Sequence, residues 1–302
     1  VDGFGILVTV ISLVTNLGIG ALVLVSGICY LIPEIPDNSA TLITAVLIMM
    51  FVATVTTVVG IEKGLAWLSR INLRLLYALL LFVFLTGPTN HLLNGLVQNT
   101  GDYLNNFMGK SFDMYLYNQK ASGWLGSWTV FYWAWWIAWS PFVGLFLARI
   151  SRGRTIREFV CGTLIIPLLF TLTWLSIFGN SALHSVIFEG NQTLAATVLS
   201  NPAHGFYDLL AQYPGFTFIA SVATVTGLLF YVTSADSGAL VLGNFTTKLT
   251  HIDNDAPRWL SVFWAIAIGL LTLAMLMTNG ITALQNATII MGLPFSFVMF
   301  LV

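Results

Sequence analysis

FYWAWWIAWSP, Phe131–Pro141, sets four tryptophans and a tyrosine into an apolar run, Gly123–Ala148, that is long enough to cross a bilayer. At about 100° per residue, Trp135, Trp136 and Trp139 fall within roughly 100° of one another, with Tyr132 between them and Trp133 at the edge. One helix face is therefore nearly continuous indole. Two readings compete, an aromatic belt or packing face and a functional cage. A belt collects at the membrane–water interface. Trp135–Trp139 instead lies about 18–24 Å from the Gly123 end at ~1.5 Å per residue, near or past the midplane. Indole N–H groups at that depth need partners, which favours the cage. Ring faces carry negative potential, and quaternary ammonium groups are their usual ligands. Pro141 has no N–H and clashes with the Ile137 carbonyl, so a helix break is predicted there. Such breaks free backbone carbonyls near the midplane of secondary transporters.

The rest of the chain supports a membrane setting. Its 302 residues are 57% hydrophobic and only 8% charged, with a mean hydropathy of +0.89. Soluble domains carry about 25% charged residues, so a soluble, disordered or disulfide-stapled fold is excluded. A net charge of −1 gives no footing for nucleic acid. Eight apolar runs read as spans: Gly5–Ile32, Thr41–Gly60, Ile71–Gly87, Gly123–Ala148, Ile156–Phe178, Gly215–Gly243, Pro257–Thr278 and Thr282–Val302. None shows the sustained alternation of a strand, so the fold class is all-α integral membrane. Small residues such as Gly18 with Gly20, and Gly60 with Gly64, suit close helix packing. With strict alternation, all Lys and Arg except Lys110 and Lys120 fall on one face, which the positive-inside rule makes cytoplasmic. A missing initial Met and an end inside an apolar run predict a piece of a longer chain. Cys29 and Cys161 fall at opposite faces and read as buried free thiols.

Between the spans, Pro88–Lys120 reads as an external amphipathic helix, and Asn180–Pro214 as a polar outer loop with a short helix around Phe206–Tyr213. Asn191-Gln192-Thr193 fits a glycosylation acceptor. Phe230-Tyr231-Val232-Thr233-Ser234-Ala235-Asp236 interrupts a span with polar groups, and an intramembrane carboxylate such as Asp236 points to function. Phe230, Thr233 and Ser234 put a carbonyl and two hydroxyls on one face, a set suited to sodium. The alternative is a packing patch whose Ser and Thr bond their own i−4 carbonyls. Thr155 and Glu158 form a capping box in a basic turn that includes Arg152, Arg154 and Arg157. His91, His184, His204 and His251 are scattered over loops without metal spacing. No enzyme motif, cofactor motif or metal centre is present in the sequence. A channel would need a continuous polar stripe through several spans, and the sequence has none.

The run Phe131–Val160 closely resembles the signature of the betaine/choline/carnitine transporter family, and Phe230–Ala239 resembles that family's later broken-helix motif. Asn16-Leu17-Gly18-Ile19-Gly20 and Gly60–Ser69 match its pattern as well. The resemblance implies a LeuT-like core of two inverted repeats. Residues 1–87 would close the first repeat, 88–122 form the external connecting helix, and 123–302 the second repeat, its last helix truncated. It also implies a homotrimer, multi-pass in a bacterial inner (cell) membrane, and a role in osmoprotection. Carried over by position, Trp135, Trp136 and Trp139 are the substrate tryptophans, with Trp133 beside them on the path; the helical spacing adds Tyr132 to that face. Phe230, Thr233 and Ser234 are sodium-site positions; Asp236, as an intramembrane carboxylate, is a candidate for conformational coupling. Sodium-coupled members offer paired hydroxyls where this chain has Thr9 followed by Leu13. The expected function is therefore import of choline or a related trimethylammonium compound, coupled to H+ rather than Na+. A sodium-coupled glycine betaine symporter and a non-transporting channel or osmosensor are the alternatives.

Overall fold

The computed structural model describes residues 2–59, 62–248 and 255–301. Gly60, Ile61 and His251 lie outside them. The described residues form twelve α-helical elements and two π-helical turns joined by short connections, with no strand. In chain order they are α1 Asp2–Leu31, α2 Ser39–Val59, α3 Glu62–Thr86, α4 Thr89–Phe112, α5 Gln119–Leu125, a π turn Gly126–Val130 and α6 Phe131–Ile150. There follow α7 Ile156–Val160, a second π turn Cys161–Ile165, α8 Ile166–Ile187, α9 Gln192–Ser200, α10 Pro202–Leu210, α11 Phe216–Phe245 and α12 Arg258–Leu301. Lipid offers no partner to a bare amide, so a crossing segment must satisfy its backbone internally. Seven helical segments are long and apolar enough to cross, counting α5–α6 and α7–α8 as one each.

The longest of these, α12, is two helices. Asn279 (φ −146°, ψ 28°) and Gly280 (φ 55°, ψ −135°) leave helical geometry, and only glycine adopts the second conformation at low cost. The break divides the last two predicted spans. Helix starts follow local chemistry. Asn38 Oδ1 accepts from Thr41 N–H at 3.0 Å ahead of α2. Thr155 and Glu158 complete the capping box that opens α7. The Asn191 carboxamide, in the glycosylation-like triplet, accepts the Leu194 N–H at 3.0 Å and caps α9.

Four expectations are corrected. The helix does not break at Pro141, because α6 runs on to Ile150. The Ile137 carbonyl, which Pro141 cannot serve, accepts the Ser140 hydroxyl at 2.7 Å. Likewise α11 is continuous through Phe230–Gly238, and its Thr226 and Thr233 hydroxyls return to the Val222 and Leu229 carbonyls at 2.7 and 2.8 Å. The outer loop carries two short helices, α9 and α10, rather than one. Finally, Cys29 and Cys161 are free, but Cys161 is exposed and Cys29 only half-buried. Cys161 opens the π turn, and the neighbouring Val160, Leu164 and Ile165 are exposed with it.

α1 is the central post, packed against α6, α11 and α12. Its Leu13, Leu17 and Ala21 join Val46, Leu242 and Leu284 in the main core. Gly238 of α11 is the socket for Leu13, since a Cβ there would lie 2.7 Å from the Leu13 methyls. Apolar side chains such as Phe51 (69% exposed) face outward in quantity, as lipid contact requires. α4 buries Leu92 but leaves Val97, Leu104 and Phe107 uncovered, the pattern of a helix lying along an interface. Arg152, Arg154 and Arg157 in the α6–α7 region, with Lys248 and Arg258 between α11 and α12, mark one end of the bundle, called the basic end below.

Candidate functional site

α6 carries the indole face in one unbroken helix. Trp135 stacks on Phe131 with ring centroids 5.5 Å apart and planes 17° apart. Tyr132 meets Trp135 edge-on at 6.1 Å and Trp136 at 6.3 Å. One turn along, Trp139 stands perpendicular to Phe142 at 5.2 Å. Among the described residues no ring lies against both Trp135 and Trp139, and there is space beside them. A cavity of about 390 Å³ fills it, lined by Asn16 of α1 and by Tyr132, Trp135, Trp136, Trp139 and Val143 of α6. Small-molecule sites run to about 300–1,000 Å³. Four of the five sequence-derived cage residues therefore border one hollow. Trp133 does not line it, while Trp136 and Tyr132 line it and are 62% and 48% exposed, so the hollow is open to the outside along their edge.

The lining is aromatic and neutral, without a Lys, Arg, Asp or Glu. Such a wall repels no cation and offers indole faces to one. The Nε1 atoms of Trp135 and Trp139 are buried and have no acceptor among the described residues. Asn16 is the lining residue that sequence reasoning passed over. Its Asn-Leu-Gly-Ile-Gly setting reads as a packing pattern, and only the fold brings α1 beside α6.

None of the second residue set lines this cavity. Thr233 Oγ1 is 2.8 Å from the Leu229 carbonyl and 3.2 Å from that of Phe230. Its hydroxyl proton is thus engaged within α11, as the packing reading requires. Ser234 is half-buried, and its hydroxyl has no bond among the described residues. Asp236 is buried, and Thr57 Oγ1 of α2 donates to its Oδ1 at 2.6 Å. Removing that donor leaves a buried oxygen unpaired, which costs about 1–3 kcal/mol. Thr57→Val is accordingly expected to lower the unfolding temperature in detergent, and Thr57→Ser to restore it; equal melting of all three would show that the bond is idle.

A second cavity, about 450 Å³, sits toward the basic end between Gly5, Ile6, Pro141, Leu145, Asn244, Phe245 and Phe295. Asn244 holds the adjoining connection, its Oδ1 accepting the Ala256 N–H at 2.7 Å and its Nδ2 donating to Asp255 at 3.1 Å. The described histidines are paired rather than scattered. His91 and His184 rings are 5.0 Å apart where α4 crosses α8, with Glu189 3.4 Å from His184. His204 Nε2 lies 2.7 Å from Asp37 Oδ2. Beside it Tyr30 donates to Asp208 and stacks on Tyr207, whose phenol burial holds above its ordinary ionisation range. Among the described residues no three His, Cys, Asp or Glu converge as a metal site.

Comparison with known proteins supplies a frame for this geometry. The model of the BCCT, betaine/carnitine/choline family transporter, matches residues 1–302. An osmo-dependent choline transporter, BetT2, of Acinetobacter baylyi is 65% identical over 302 residues, 100% of this chain and 44% of its own length. A high-affinity choline transport protein of Escherichia coli is 57% identical, with the same two shares. A glycine betaine transporter of Acinetobacter baylyi is 41% identical over 100% of this chain and 45% of its own. The chain thus spans less than half the length of these three relatives. All three are named as transporters, none as an enzyme.

Proposed function

From the premise that the chain belongs to the betaine/carnitine/choline transporter family, we propose that the protein imports choline, or a related trimethylammonium compound, by alternating access coupled to protons. The observation that carries the reading is the neutral hollow of about 390 Å³ walled by Tyr132, Trp135, Trp136 and Trp139. A trimethylammonium group has no N–H to give, so hydrogen-bond acceptors cannot select it, whereas stacked indoles can. Trp133 belongs to the approach path. Choline is favoured because the relatives at 65% and 57% identity are named for it, while the betaine-named relative stands at 41%.

Proton coupling is supported by what fills the ion positions. Leu13 is fully buried on Gly238 where a second hydroxyl would stand, and Thr233 spends its proton on its own helix. Asp236 is the coupling carboxylate, since buried carboxylates in membranes mark proton relays. The cavity of about 450 Å³ toward the basic end serves release to the cytoplasm. Around this core stand the inverted repeats at 1–87 and 123–302, the external helix at 88–122, a homotrimeric assembly, a place in the bacterial inner membrane and a part in osmoprotection.

The test is radiolabelled uptake by the full-length protein in liposomes, with sodium and proton gradients imposed separately. Choline accumulation driven by inward protons, and indifferent to sodium, is the expected result; dependence on sodium overturns the coupling, and preference for glycine betaine overturns the substrate. Asp236→Asn keeps the size and the Thr57 contact but cannot carry a proton. It is expected to abolish uphill accumulation while sparing exchange of labelled for unlabelled choline. Retained accumulation would remove Asp236 from the coupling step.

A further inference from the structure

Asn16 is the one carboxamide on the wall of the aromatic cavity. It is half-buried in the middle of α1, and its side chain makes no hydrogen bond to the described residues. Its polar neighbours on the same helix are all engaged. Thr9 donates to the Gly5 carbonyl at 2.8 Å, Ser12 to the Thr9 carbonyl at 2.9 Å, and Thr15 meets Thr288 at 2.7 Å. An amide facing an apolar hollow inside a membrane bundle is costly unless something in the hollow bonds to it. The other lining groups cannot fill that role. Val143 is apolar, the N–H groups of Trp135 and Trp139 are shut away from the cavity surface, and neither the Tyr132 phenol nor the Trp136 N–H is hydrogen-bonded to Asn16.

We infer that Asn16 binds the oxygen-bearing end of the substrate, its amide exchanging hydrogen bonds with the hydroxyl of a hydroxyalkyl trimethylammonium ion whose head rests on the indoles. A hydroxyl donates one bond and accepts others, and a carboxamide does both. A carboxylate only accepts, and its desolvation calls for a cation, which this lining lacks. Asn16 therefore sets preference for an alcohol over an acid at the same headgroup. This rests on the indole cage proposed above and adds to it a second, polar contact.

Affinities of the purified full-length protein for choline, tetramethylammonium and glycine betaine separate the two claims. Tetramethylammonium has the headgroup and no oxygen. With Asn16→Leu, choline affinity is expected to fall about five- to tenfold, the worth of one net hydrogen bond, while tetramethylammonium binds as before. Asn16→Ser, smaller and hydroxylated, is expected to give an intermediate choline-to-tetramethylammonium ratio and keeps the test alive if the leucine variant fails to fold. An unchanged ratio in the folded variants overturns the inference, and so does an equal loss for both ligands, which would mean that Asn16 only shapes the hollow. Failure of the cage itself reads differently, as tetramethylammonium binding that is indifferent to Trp139→Ala.

Discussion

Trp139→Ala is expected to lower choline uptake by about 30-fold, and Trp133→Ala by far less. A desolvated cation over an indole face is worth about 2 kcal/mol or more, which converts to that factor. Trp139 lines the hollow and Trp133 is turned out of it, so the two substitutions remove similar side chains from different places. Trp139→Phe sharpens the comparison. The Trp139 N–H has no acceptor among the described residues, so phenylalanine keeps an aromatic face and forfeits no hydrogen bond. Its expected loss is only a few-fold. Initial-rate uptake with the three variants at matched expression decides the matter; equal, mild losses at both tryptophans would dissolve the cage.

Gly292→Val is expected to disable transport without touching the substrate. A Cβ at Gly292 would sit 2.8 Å from the Ala134 carbonyl oxygen, 3.0 Å from its Cβ and 3.1 Å from its Cα. Two of those atoms are backbone, so no rotamer can relieve the clash, and α6 must move as a body. Overpacking of this kind costs about 1–3 kcal/mol. Ala134 directly precedes Trp135, so the displacement reaches the cage walls. Expected results are a lowered unfolding temperature and uptake reduced at least about tenfold, the equivalent of 1.4 kcal/mol at the binding step. Gly101→Val on the exposed α4, where a Cβ meets nothing within 4 Å, serves as the control and is expected to be silent. A fully active Gly292→Val protein would mean that α6 tolerates repositioning.

The spans and the indole face were legible in the sequence because lipid imposes a one-dimensional rule: long apolar runs, with polar groups where something must be bound. Even the division of α12 could be read from Thr278-Asn279-Gly280, which breaks an otherwise apolar run where backbone freedom is needed. Pro141 misled because the remedy is local and easily overlooked. Ser140, one residue earlier, donates to the very carbonyl that the proline strands. Contacts between helices were not legible. Asn16 belongs to the cavity only because α1 is the post on which α6 leans, and His91 meets His184 only because α4 lies across α8. Nothing in either residue's own neighbourhood encodes such a meeting.

Leu13 seated in the Gly238 socket bears on how this lineage could change its energy source. A threonine at position 13 alone would trade a snug methyl pair for a lone hydroxyl facing a void, and a larger residue at 238 alone would collide with the leucine. Each single step is a setback, so on the proposed ion assignment a hydroxyl at position 13 calls for a compensating change at 238 on the neighbouring helix.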